Sequence, residues 1–213
     1  MLAPQLAGAP AFLQLGVASR PMPGERVSGD AFVVASRDDN ECGLVAVLDG
    51  LGHGQDAASA ARLASDTLSR YGHQTVVSLV RQVHQALIGT RGVTMSMAEF
   101  NLMDDSMTWL SIGNVEGLLV RADRAARPSR EAIIMRGGVV GYELPPLRAS
   151  MVSLSPGDTL YFATDGIEAM FADGLSLAAS PQEQADQILA SHGKATDDAL
   201  VLVARYLGRM GGR

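Results

Sequence analysis

Cysteine occurs once in the 213 residues, as Cys42. That excludes an intramolecular disulfide and a zinc site built from several thiolates. It also excludes thiol-based phosphate chemistry, which needs an arginine six residues after the cysteine to hold the phosphoryl oxygens. Leu48 stands at that position. Cys42 reads instead as a small residue at the mouth of a buried strand. Cations are also few: 17 Lys and Arg face 23 Asp and Glu, a net charge of −6. Phosphate contacts need clustered positive charge, so a nucleic-acid partner is not expected. No run of 18 apolar residues exists, which leaves no helix able to cross a bilayer. The first twelve residues lack a basic patch and carry Pro4 and Pro10, so a secretory signal is not expected either. A reducing, cytoplasmic setting is the expectation.

What is present is an ordinary globular balance, with 47% hydrophobic and 19% charged residues. A chain of this length buries roughly 70% of its unfolded surface, enough for one core. A single domain over residues 1–213, with its core at about 12–206, is the expected organisation. Strands are expected at Phe12–Ser19, Asp30–Ser36 and Gly43–Leu48, with a hairpin tip at Asp38–Glu41. Gln55–Tyr71 is rich in alanine and leucine and reads as a helix able to approach a neighbour closely. Thr75 caps a second helix whose Val76, Val80, Val83 and Leu87 fall at helical spacing. Short strands follow at Gly92–Leu102, Ser106–Ile112, Glu116–Val120, Ala132–Arg136, Met151–Leu154 and Thr159–Ala163. A helix at Pro181–Ser191, a closing strand at Ala199–Tyr206 and a frayed tail at Gly208–Arg213 complete the chain. Hairpins outnumber βαβ signals, so the expected class is α+β, with antiparallel sheets carrying helices on their outer faces.

Four carboxylates stand at the ends of these strands. Asp30 opens one after Ser28-Gly29, Asp49 and Asp165 each end one and precede a glycine, and Asp197 precedes the last. A carboxylate beside glycine at a strand end is held rigidly while the backbone stays open to a ligand. Brought together, four such groups repel one another, so a shared site implies bound metal. All-oxygen donors favour Mg²⁺ or Mn²⁺ over zinc. The glycines of Gly50-Leu-Gly52-His-Gly54 do not make a dinucleotide loop. The third glycine of that pattern falls at Gln55, and Asp49 puts negative charge where a pyrophosphate would sit.

In this order, Asp49-Gly-Leu-Gly-His-Gly, Ala163-Thr-Asp165-Gly166-Ile and Thr196-Asp197-Asp198-Ala-Leu-Val resemble the metal-dependent type 2C (PPM) protein phosphatases. Ser28-Gly29-Asp30 and Ile112-Gly113-Asn114 are similar to the SpoIIE-type bacterial branch. The resemblance covers about residues 12–206. It implies an α-β-β-α sandwich with two Mn²⁺ or Mg²⁺ ions at one edge. Asp49 would bridge both ions, the Gly50 carbonyl would bind one, Asp165 and Asp197 would hold one, and Asp30 would help hold the other. A water between two such ions becomes hydroxide at neutral pH and attacks phosphorus in line. The implied substrate is a phosphoserine or phosphothreonine on a STAS-domain regulator of a bacterial stress-signalling cascade.

Several positions carry two readings. His53 is either a general acid toward the leaving serine oxygen or a brace for the glycine turn. Arg26 lies four residues before Asp30 and either grips phosphate or is a solvated loop residue. Asp198 reads as a supporting or capping group, and Asp158 as a turn residue. Asn114 stands where many relatives have an aspartate that serves a third ion, so a third ion should be weak or absent. That substitution keeps an alternative open: a catalytically weak regulatory docking module of the same fold. Action on small phosphate esters is a further alternative.

Overall fold

The computed structural model describes residues 8–37, 41–169, 171, 173 and 177–209. The expected hairpin tip has its residues 38–40 outside the described residues, as does tail 210–213. In chain order the elements are β1 (Leu13–Arg20), β2 (Asp30–Arg37), β3 (Cys42–Gly50), α1 (Gln55–Tyr71), α2 (Val76–Leu87), β4 (Val93–Asn101) and β5 (Ser106–Ile112). They continue as β6 (Glu116–Val120), β7 (Arg130–Ala132), β8 (Ser150–Ser153), β9 (Thr159–Ala163), α3 (Pro181–His192) and β10 (Ala199–Tyr206).

The strands form two antiparallel sheets, ordered β1-β10-β9-β6-β7 and β2-β3-β4-β5-β8. Both are covered on two faces, which explains why β3 and β10 are apolar without alternation. Val45 and Val47 of β3 meet Leu200, Leu202 and Ala204 of β10 between the sheets. Leu44, Ala46 and Leu48 point the other way, against α1 and α2. Val201 and Val203 of β10 pack beneath Ala185 and Ile188 of α3. The result is the expected α-β-β-α sandwich.

Local chemistry sets the helix ends. Thr75 accepts from the Ser78 N–H at the start of α2, whose β-branched residues are held helical by burial of Val76, Val80 and Val83. Ser180 and Glu183 form a reciprocal capping box on α3, with Pro181 in the first turn. The alanines of α1 let it settle directly on β3: a Cβ at Gly50 would lie 2.3 Å from the Ala57 carbonyl oxygen.

One expected strand is displaced. Ala132–Arg136 reads as a strand, yet β7 is Arg130–Ala132. Its partner β6 begins only at Glu116, after the Gly113-Asn114-Val115 turn. Beyond Ala132 the pairing is reduced to bonds such as Ile133 N–H to the Gly117 carbonyl and Gly113 N–H to the Arg136 carbonyl.

Candidate functional site

The strand register brings the first two aspartates together. Asp30 at the start of β2 is the cross-strand partner of Asp49 near the end of β3, so their side chains share a face. Asp165 follows β9 and Asp197 precedes β10, neighbouring strands of the other sheet. The site thus lies where the ends of the two sheets meet. Thr164 ties them together: its hydroxyl donates to Asp30 Oδ2 at 2.8 Å and accepts from the Leu200 N–H at 2.9 Å.

A cavity of about 210 Å³ opens here, lined by Asp49, His53, Thr94, Asn114, Asp165 and Asp197 among others. The carboxylates feel one another. Burial, then the neighbouring Asp49 charge, pushes the Asp30 carboxyl up to about 8, against the opposing Thr164 bond. Burial, then Asp165 and Asp197, pushes Asp49 up to about 7. Burial also raises Asp197, with Asp165 and Asp198 adding to it. A set of half-buried anions that raise each other in this way is one that a cation would relieve.

The donors are the hard oxygens that Mg²⁺ or Mn²⁺ prefers. Their arrangement is not that of a formed ion site. Among the described residues, no group of three or more Asp, Glu, His or Cys side chains converges as a bound ion requires. Three of the four carboxylates have another partner: Asp30 takes the Thr164 hydroxyl, Asp165 the Asn114 amide at 2.6 Å, and Asp197 the N–H of Asp198. The donor set therefore suits the ions in chemistry, without holding the convergence they would impose.

The two glycines after the aspartates have a packing reason as well. Gly50 is buried against Ala57 of α1, and a Cβ at Gly166 would lie 1.8 Å from the Asp198 carbonyl oxygen. Close packing demands a residue without a side chain at both positions. Asp198 is a supporting group. It accepts from the N–H groups of Met22 and Gly29, both at 2.7 Å, and so pins the β1–β2 loop beside Asp30. Asp158 is buried and accepts from Arg121, Ala122 and Ser155 around its turn.

His53 projects from the glycine turn, with Nδ1 2.7 Å from Glu25 Oε1. Arg26, the next residue, is exposed and lies outside the cavity lining. Several groups at the site carry no signal of their own in the sequence. Glu25 is 28 residues from His53. Thr94 faces Asp49 only through the β3–β4 register. Lys194, the chain's one lysine, donates from Nζ to the Asp165 carbonyl at 2.5 Å.

Two helix-flanked antiparallel sheets with aspartates at their shared edge define the type 2C (PPM) phosphatase fold, which solved phosphatases share with this chain. Within that class the chain belongs to the family described as Stage II sporulation protein E (SpoIIE), whose profile matches residues 39–207. It is 33% identical over 96 residues to the phosphoserine phosphatase RsbX of Bacillus subtilis (strain 168); the match covers 45% of this chain and 47% of RsbX, about half the relative's length. A structure from work on the bacterial stressosome, a modular system adapted to control secondary messenger signalling, superposes with a TM-score of 0.81. It is 26% identical, over 91% of this chain and 99% of that one. RsbX in complex with magnesium superposes with a TM-score of 0.79 at 22% identity, over 92% and 96% of the two chains.

Proposed function

We propose that this chain is a metal-dependent phosphoserine/phosphothreonine phosphatase acting on a phosphorylated STAS-domain protein in a bacterial stress-signalling cascade. One observation carries the reading: Asp30, Asp49, Asp165 and Asp197 from two sheets are gathered at one edge, where burial and mutual repulsion raise the carboxyls of Asp30 and Asp49. Family membership supports it, as does the naming of RsbX as a phosphoserine phosphatase. That RsbX was solved with magnesium, and that another relative belongs to stressosome work, supports the cofactor and the partner class.

In this reading Asp49, the Gly50 carbonyl, Asp30, Asp165 and Asp197 hold two Mn²⁺ or Mg²⁺ ions. Two such ions would lower the pKa of a bound water so that it is hydroxide near neutral pH, and would take up charge on the phosphoryl oxygens. His53, oriented by Glu25, gives a proton to the leaving serine oxygen. Arg26 would meet phosphate from the exposed rim, beside Glu25.

A second reading has its own observation. Among the described residues the carboxylates do not converge as an ion site, and Asn114 brings a neutral amide to their midst. Taken alone, this arrangement favours a catalytically weak docking module of the same fold over an assembled hydrolase. The deciding experiment is Mn²⁺-dependent hydrolysis of an aryl phosphate and of a phosphorylated STAS domain, comparing the wild type with Asp49→Asn. Metal-dependent turnover lost in the variant upholds the phosphatase. Tight binding of the phosphorylated domain, with no turnover in either protein, upholds the docking module.

A further inference from the structure

Asn114 is bonded on both sides of its amide at the mouth of the cavity. Nδ2 donates to Asp165 Oδ2 at 2.6 Å, and the same side chain favours the ionised form of Asp49. On the other side, Oδ1 accepts from the Thr94 hydroxyl. The orientation follows from chemistry. An ionised carboxylate can only accept, so the nitrogen must face Asp165 and the oxygen must face the hydroxyl.

The surroundings are built to keep that amide in place. Thr94 is buried on β4 and is the cross-strand partner of Asp49. It can reach Asn114 because Gly113 lies flat against it. Gly113 has φ +91°, and a Cβ there would lie 2.3 Å from Thr94 Cβ. The far end of the same turn is clamped as well. The buried hydroxyls of Ser96 and Ser111, one on each of two paired strands, both donate to the Val115 carbonyl, at 2.7 and 3.4 Å. Three buried hydroxyls thus fix a three-residue turn whose central side chain is the amide between two carboxylates.

We propose that Thr94 and Asn114 form a positioning bridge, a hydroxyl-locked amide that ties β4, beside Asp49 of one sheet, to Asp165 of the other and aims that carboxylate at the cavity before an ion arrives. The inference rests on the reading that these carboxylates hold divalent cations. The amide's N–H does part of the work of a cation, offsetting repulsion without adding charge. Groups that orient metal ligands in this way typically affect affinity about 10–100-fold.

The test uses the full chain, with Mn²⁺ binding measured by calorimetry and thermal melting measured in EDTA. Thr94→Val, which keeps the shape and removes the donor, should weaken Mn²⁺ binding about 10–100-fold. Thr94→Ser, which restores a hydroxyl, should recover it. In EDTA, the Thr94→Val/Asn114→Ala double variant should melt no lower than Asn114→Ala alone, because a hydroxyl with no amide to hold has nothing left to lose. Wild-type affinity in Thr94→Val, or additive losses in EDTA, would overturn the bridge. If the wild type binds no Mn²⁺, the metal reading falls and the EDTA cycle decides alone. Coupled losses then uphold the bridge as a tie between the sheets, and additive losses overturn it.

Discussion

Replacing Asp30 with asparagine removes a charge from the most perturbed position of the site and leaves its shape nearly unchanged. The carboxyl there rises from 3.8 to about 8 through burial and the adjacent Asp49. The folded chain therefore holds this proton more tightly than the unfolded chain does. Below pH 3.8 both states are protonated and the position costs nothing. As pH rises from there the unfolded chain gives up its proton first, and stability falls until the folded carboxyl ionises near 8. The full cost is on the order of 5 kcal/mol, part of it shared with Asp49. Burying an amide instead costs about 1–3 kcal/mol, softened because Thr164 can donate to the new oxygen as it does to Asp30 Oδ2. Asp30→Asn should then gain about 2–3 kcal/mol at pH 8 in EDTA, a rise in melting midpoint of about 4–12 °C. At pH 5 the carboxylate costs only about 1–2 kcal/mol and the gain should vanish. Melting followed by circular dichroism at the two pH values, in EDTA and again with Mn²⁺, reads this directly. The ion should stabilise the wild type by about 2.7 kcal/mol at one hundred times its dissociation constant, and the variant much less. A variant that melts lower than the wild type in EDTA at pH 8, or a gain equal at both pH values, would refute the reasoning.

Two other perturbations separate the chemistry from the scaffold. Glu25→Gln removes the anion that faces His53 Nδ1 at 2.7 Å; it should lower kcat on an aryl phosphate by less than the about 10²–10⁴-fold expected for losing a general acid outright in His53→Ala. Mn²⁺ affinity measured by calorimetry should stay as in the wild type for both. Leu202→Ala, fully buried between the sheets, should cost about 2–5 kcal/mol in urea unfolding and leave Mn²⁺ affinity unchanged in the fraction that stays folded.

Much of the fold was legible because its signals are local. The apolar runs Gly43–Leu48 and Ala199–Tyr206 read as doubly covered strands, and both are. Thr75 and Pro181 marked helix starts where they occur. The four aspartates were legible because each sits at a strand end, and the fold does bring those ends to one edge. What the sequence hid depends on register and long-range packing. Asp30 opposes Asp49 through the β2–β3 register, and Thr94 opposes it from β4; neither pairing follows from composition. Glu25 reaches His53 across 28 positions, and Asp198 reaches Gly29 across 169. The glycines Gly50 and Gly166 stood out in the sequence, but the packing that requires them did not. Their lack of a side chain is demanded by Ala57 and by the Asp198 backbone, contacts that exist only once the helix and the last strand have docked.

That packing also explains how the chain tolerates its own repulsion. Each sheet end contributes two of the four aspartates, and side chains span the sheets there: Thr164 bonds Asp30, Asp198 accepts from the Gly29 N–H, and Asn114 links Thr94 to Asp165. The four carboxylates push the sheets apart electrostatically, while the apolar layer of Val45, Val47, Phe162, Leu200 and Leu202 behind them holds the sheets together. An apolar layer is indifferent to charge, so it can carry carboxylates that no local interaction would keep close. A divalent ion bound there would turn the same repulsion into attraction, and its binding energy would appear as stability between the sheets. The phosphatase and docking readings thus differ in one physical quantity, the free energy gained when a cation draws Asp49, Asp165 and Asp197 inward from the partners they now have. Asn114 sits on that coordinate: held by Thr94, the cross-strand partner of Asp49, it fixes Asp165 at the cavity and so shortens the path to a closed ion site. A bridge that guides the cation in this way is what would let this edge act on a phosphate ester.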